Sequence, residues 1–251
     1  LALDPRDFER KISPRVKAVI PVHMLGRPAN LTAILRIARK HGVKVIEDSC
    51  QMVGGTYKGR RTGSWGDAGA FSLNYYKIIS AGGEGGVLVT NDRTVIETAS
   101  IFHDSGTSFR PHAEALSTPI FVAQQYRADE VMGAIARMQM RRMDGIIRDL
   151  RRHRRAIEKA LARVPNLSFA PSNDPEGDCG VVAAFRFPDE TRARAFKEAP
   201  GVGGYVGIDH GKHVFSKWTP LREKRIMHCK AMNPFYFRAN RGLRMDYRDS
   251  V

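Results

Sequence analysis

Lys77 is the first candidate for chemistry. It stands in a turn after a short apolar segment, with Ser72 five positions before it and the run GGEGG at 82–86 behind it. A lysine held in a desolvated pocket has its charged form disfavoured, so its amine becomes a nucleophile. The ordinary alternative for any single lysine is an exposed loop position. Asp48 closes an apolar segment, where a bare carboxylate is costly unless paired. A cationic ring nitrogen is one suitable partner; local capping or a nearby arginine is another. Gln51 follows three positions later, a spacing that turns both side chains toward one ligand. A glycine-rich turn need not cradle phosphate, so 82–86 decides nothing alone. Cys50 has no visible His or Asp relay and reads as a small buried residue. His23 reads as a core or rim histidine rather than a catalytic one, and Tyr75 and Tyr76, beside Lys77, as packing residues rather than shapers of a substrate pocket. No His, Cys and carboxylate group has metal-ligand spacing.

Elements must hold these residues in place. Residues 17–22 (KAVIPV) read as a buried strand. Asn30 is an N-cap, Leu31, Ile34, Leu35 and Ala38 form one helical face, and Gly42 is the stop. Residues 43–47 (VKVIE) form a second strand, which makes a βαβ unit with parallel strands and a right-handed crossover. Segments 68–73 and 87–90 extend the sheet, and Asp92 caps a helix reaching about Phe102. Ligands of such sheets sit at the carboxyl ends of the strands, where Asp48 and Ser72 fall. From Asp129 to about Arg163 the pattern is one long helix. Val131, Ile135, Met138, Ile146, Leu150, Ile157 and Leu161 form its apolar stripe, with arginines on the other faces. Pro165 and the cluster at 171–177 break it. A strand at 181–187 and a helix from Pro188 and Asp189 follow, and periodicity is weak beyond 201. The expected organisation is an α/β domain over 1–127, a connecting helix over 128–164 and a smaller α+β domain over 165–251.

Composition narrows the class further. The 251 residues carry 41 Lys and Arg against 26 Asp and Glu, a net charge of +15 that suits an anionic partner. The one dense basic run, 141–155, lies in a helical pattern without interleaved aromatics. It reads as a solvated face rather than a nucleic-acid surface. No apolar stretch reaches the roughly 18 residues of a membrane span. Three scattered cysteines fit no disulfide framework, so a reducing cytoplasm is expected. The chain opens on Leu1 rather than Met and reads as an excerpt of a longer one.

Taken together, the motifs resemble the DegT/DnrJ/StrS family of sugar aminotransferases. The resemblance rests on Asp48-x-x-Gln51, Gly66-Asp67-Ala68-Gly69, Phe71-Ser72, Lys77 and Gly83-Glu84-Gly85-Gly86, in that order. It extends upstream through Pro21-Val22-His23 and Gly26, and downstream through 125–130 (QYRADE) and 142–144 (RMD). It covers about 16–160 clearly and the rest more faintly. The family implies a fold-type I architecture, with a mostly parallel large-domain sheet flanked by helices and a smaller C-terminal α+β domain. It also implies pyridoxal 5′-phosphate as cofactor. By resemblance, Lys77 is the Schiff-base lysine that also moves the proton between substrate Cα and cofactor C4′. Asp48 matches the carboxylate that keeps the ring nitrogen protonated, which lets the ring accept electrons. Gln51 looks like the partner of the phenolic oxygen, and Ser72 matches a hydroxyl donor to the phosphate. Gln125 stands where the family has an asparagine reaching across a dimer to that phosphate, the amide kept on a longer arm. The family's N-terminal segment is absent before Leu1 and its C-terminal continuation after Val251.

The resemblance therefore implies transfer of an amino group from glutamate or glutamine to a keto-sugar carried on a nucleotide, or to a keto-cyclitol. A homodimer with shared active sites is implied, and neither membrane nor nucleic acid is an expected partner. Residues 211–220 (GKHVFSKWTP), with Lys212, His213 and Trp218, are candidates to reach the sugar. Two rival readings are a sugar dehydratase and a non-catalytic regulatory protein of the same fold. The first would put histidine at position 77. The second has no use for Asp48, Gln51, Ser72 and Lys77 together.

Overall fold

The computed structural model describes residues 2–107, 109–225 and 227–240; what the sequence suggests for 241–251 lies outside them. Asp4 caps the first helix, α1 (Pro5–Lys11), by accepting the Arg6 N–H at 2.8 Å, with Pro5 at the first helical position. Strand β1 (Ala18–Val19) leads through Val22, which bridges Asp48 in parallel, to helix α2 (Leu31–His41). Asn30 Oδ1 caps α2 at the Ala33 N–H, and Gly42 ends it at φ 65°, a left-handed conformation that an L side chain resists. Strand β2 (Lys44–Asp48) runs parallel to β1, as the βαβ pattern requires.

Two short strands, β3 (Thr56–Tyr57) and β4 (Arg60–Arg61), form a hairpin. Its turn residues Lys58 and Gly59 both have positive φ, 49° and 79°, the requirement of a type I′ turn. Strand β5 (Ala68–Ser72) pairs parallel to β2, and β6 (Gly86–Thr90) pairs antiparallel to β5, so the sheet order is β1-β2-β5-β6. The direction of β6 follows from its connection: residues 73–85 double back instead of crossing over through a helix. Gly69 is obligatory, because a Cβ there would lie 2.1 Å from the Gly63 carbonyl oxygen. Helix α3 (Arg93–His103) then starts at Asp92. The core between α1, α2 and the sheet is built from Phe8, Leu31, Ile34, Ile37, Ala38 and Val45. Each such buried large aliphatic is worth about 1.5–3 kcal/mol.

Helix α4 (Glu130–Leu161) is capped by Asp129. Its packing corrects the sequence reading. The residues it buries are Ile147 and Arg154, whereas Val131, Ile135, Met138 and Ile157 of the expected apolar stripe are exposed. Arg154 goes inside because Asp178 meets it there at 2.6 Å. The strand expected at 181–187 is shorter, β8 (Phe185–Arg186); β7 (Ser168–Phe169) precedes it, and the rings of Phe169 and Phe185 lie 5.7 Å apart.

The chain divides into two compact units, Leu1–Phe185 and Arg186–Val251. Residues 172–179 pack in the first, through Asp174 on the Lys58 N–H, Asp178 on Arg154, and the Cys179 N–H on the Gly26 carbonyl. The second unit contains α5 (Glu190–Glu198), capped by Asp189, the short α6 (Thr219–Arg222), and single 3-10 turns. Phe187 and Phe196 pack within it at 5.1 Å, and Lys212, His213 and Trp218 belong to it.

Candidate active site

Asp48 ends β2 and Ser72 ends β5, and because Asp48 registers with Ala70 on the parallel partner, both residues stand at one carboxyl edge. The chain turns immediately after β2. Ser49 N–H donates to the Ala70 carbonyl, Met52 N–H donates to Ser49 O, and Asp48 Oδ1 accepts the Cys50 N–H at 3.0 Å. This turn keeps Gln51 at the same edge. Gln51 Oε1 accepts the Leu25 N–H at 2.8 Å, which fixes the amide and leaves its NH2 end to donate. Leu25 adopts φ 57° and ψ 31° to do so, a left-handed conformation costing about 1–2 kcal/mol. The Cys179 N–H on Gly26 O at 2.8 Å holds that turn.

Lys77 lies in the loop between β5 and β6. Leu73 N–H donates to Gly85 O, Ala81 N–H to Leu73 O, and Lys77 N–H to Asn74 O, all at 2.8–2.9 Å. Ile79 and Ala81 are buried and anchor the loop, while Lys77 itself is half-buried. Ser72 Oγ accepts the Asn74 N–H at 3.3 Å, which leaves the hydroxyl proton to donate. Burial, first, and then the Asp48 carboxylate push the Cys50 thiol up to about 11, and the Lys77 ammonium pulls it the other way. Asp48 and Lys77 thus act on one half-buried thiol from within electrostatic reach. Among the described residues, Lys77 makes no ion pair that would occupy its amine.

Gln125 is not brought to this cluster within one chain. It bridges Asp104 on an exposed segment, with Ser105 Oγ donating to its Oε1 at 3.4 Å. Arg110 and Arg127 both bind Asp104 beside it. Tyr75 and Tyr76 depart from the packing expectation: both are exposed, and their rings lie 4.0 Å apart. Among the described residues no group of three His, Cys, Asp or Glu could hold a metal ion.

Two buried charge clusters lie outside the predicted site; His23, read from the sequence as a core or rim histidine, is fully buried in the first, whereas the sequence reading does not single out Glu47, Arg154 or Asp178. Glu47 takes four donors: the N–H groups of Gly63, Trp65 and Gly66 at 2.6–2.8 Å, and His23 Nε2 at 3.1 Å. Burial raises its carboxyl pKa, but the His23 bond and the three backbone N–H groups outweigh this and hold it below the ordinary value. His23 Nδ1 accepts the Ala29 N–H at 3.0 Å, so the ring carries its proton on Nε2, the neutral tautomer. In the second cluster, Arg27 and Arg154 share Asp178, whose other oxygen accepts from Ser172 Oγ at 2.6 Å. A Gly-rich loop after a strand hints at Glu47's donors, but three of them are backbone groups that any sequence possesses.

Residues 1–199 match the model of the DegT/DnrJ/EryC1/StrS aminotransferase family. The chain is 36% identical over 142 residues to the erythromycin biosynthesis sensory transduction protein EryC1 of Saccharopolyspora erythraea, covering 57% of this chain and 37% of that protein. It is 37% identical over 169 residues to GDP-perosamine synthase of Caulobacter vibrioides, covering 67% of this chain and 44% of that one. The chain spans less than half the length of these relatives. Among solved structures, S. venezuelae DesV in complex with a ketimine intermediate superposes with a TM-score of 0.68 at 27% identity, over 80% of this chain and 53% of that one.

Proposed function

The chain belongs to the DegT/DnrJ/EryC1/StrS aminotransferase family, and on that premise we propose that the whole protein is a pyridoxal 5′-phosphate-dependent aminotransferase. It moves an amino group from glutamate or glutamine to a nucleotide-linked keto-sugar or a keto-cyclitol. The observation that supports this reading is Asp48, Gln51 and Ser72 at one sheet edge, with donors and acceptors left in the senses the cofactor needs, and Lys77 in the loop that leaves that edge at Ser72.

When bound, the cofactor supplies an electron sink conjugated to the substrate Cα. The residues do the rest. Lys77 would hold the cofactor covalently, and its amine is the group that would carry a proton to and from Cα. Asp48 holds the ring nitrogen's proton in place by its charge. Gln51, its oxygen already taken by Leu25, donates from its NH2 end to the phenolic oxygen. The Ser72 hydroxyl donates to the phosphate. Gln125, exposed and with its amide NH2 still able to donate, serves the phosphate of a second copy, and the enzyme works as a homodimer with shared sites. The exposed Val131, Ile135 and Met138 on α4 support such an apposition. Three free cysteines suit a reducing cytoplasm.

Asp48→Asn in the full-length protein tests the reading. It should retain cofactor yet slow the half-reaction with the amino donor by about 10²-fold or more. Near-normal turnover would remove Asp48 from the chemistry.

A further inference from the structure

The basic run on α4 has no part in the site above, yet the fold builds part of it into a groove. Arg148, Arg151 and Arg155 lie at i, i+3 and i+7, one face of the helix over about 10 Å. They line a groove of about 610 Å³ together with Arg61 of the β3–β4 hairpin and the buried Ile147. Such a volume suits a small ligand.

The charges are not balanced. Arg61 pairs with Asp144 at 2.9 Å and Arg155 with Glu176 at 3.1 Å, both exposed pairs that a stronger anion can displace. Arg151 is oriented by the carbonyls of Asp178 and Gly177 at 2.6 and 3.1 Å, which accept its protons without neutralising it. Arg148 has neither ion pair nor hydrogen-bond partner among the described residues. Four guanidinium groups therefore face two carboxylates, and the surplus falls on Arg148 and Arg151, one turn apart.

We infer that this groove binds a compact anion of two linked phosphates, either free diphosphate or the diphosphate end of a nucleotide. Guanidinium forks match phosphate oxygens in pairs, and a pre-oriented Arg151 loses little freedom on binding. A nucleic-acid strand is disfavoured, because the lining offers no aromatic ring for a base to stack on. The inference is independent of the aminotransferase reading and uses none of its residues.

The test is equilibrium dialysis of full-length, cofactor-loaded protein against inorganic pyrophosphate and, separately, uridine diphosphate, at fixed ionic strength. Saturable binding of pyrophosphate is expected, weakened about tenfold or more by Arg148→Gln. Arg152→Gln, whose parent side chain pairs with Asp149 outside the groove, should leave it unchanged. Equal affinity for the two probes identifies free diphosphate as sufficient; tighter binding of uridine diphosphate, equally sensitive to Arg148, identifies a nucleotide end. No saturable binding, equal loss in both variants, or tighter retention of single-stranded DNA by the same arginines would overturn the inference.

Discussion

Glu47 and Asp48 are neighbours on one strand, and the fold treats them in opposite ways. Glu47 is fully buried and satisfied by four donors, so nothing is left for a ligand. Asp48 is half-buried at the strand's end, with one backbone N–H on one oxygen. Alternation along a strand sends the two carboxylates to opposite faces, and burial decides which becomes structure and which stays available for chemistry. A carboxylate saturated by its own fold holds the fold together; one held by a single bond at a sheet edge can still answer a ligand.

That contrast can be broken by substitution. Lys77→Ala should have the largest effect, a loss of activity beyond the roughly 10²–10⁴-fold that positioned proton transfer supplies alone. Its urea midpoint should barely move, since Lys77 makes no ion pair among the described residues. Next comes stability. Glu47→Gln turns one acceptor into a donor facing backbone N–H groups, and urea unfolding should register a loss of about 2–4 kcal/mol. Asp48→Asn, one residue on, should unfold within about 1 kcal/mol of the parent. Equal destabilisation by the two would erase the distinction.

A smaller effect concerns pH. Arg93, first, and Thr118 hold the Glu97 carboxyl at about 2, against an ordinary 4.5. Its folded pKa lies below its unfolded one, so the stabilisation is complete above about 4.5 and is lost as pH falls toward 2. Hydrogen exchange of the Ser117 and Thr118 amides, which donate to Glu97, should lose protection over that window. Unchanged protection at pH 2 would contradict it. The smallest effect is expected of Arg152→Gln, an exposed pair whose loss should leave the unfolding midpoint within error.

Much of the frame was legible because its signals are local. Asn30, Asp92, Asp129 and Asp189 each cap the helix that the sequence places after them, and Gly42 ends α2 where expected. Asp48 and Ser72 could be placed at strand ends because strands in such sheets share a direction. What was illegible depends on distant partners. Arg154 is inside because Asp178, 24 residues later, neutralises it. The apolar residues at the start of α4 looked like core and are exposed, since periodicity reports a face but not what covers it. The reversal at β6 hides in a loop with no helical pattern, and Gln51's orientation depends on one strained residue, Leu25.

The most direct test of the central claim is chemical. Full-length protein loaded with pyridoxal 5′-phosphate is reduced with borohydride, digested and mapped. A pyridoxyl group on Lys77 is the predicted result; its appearance on any other lysine would contradict a site formed by Asp48 and Lys77.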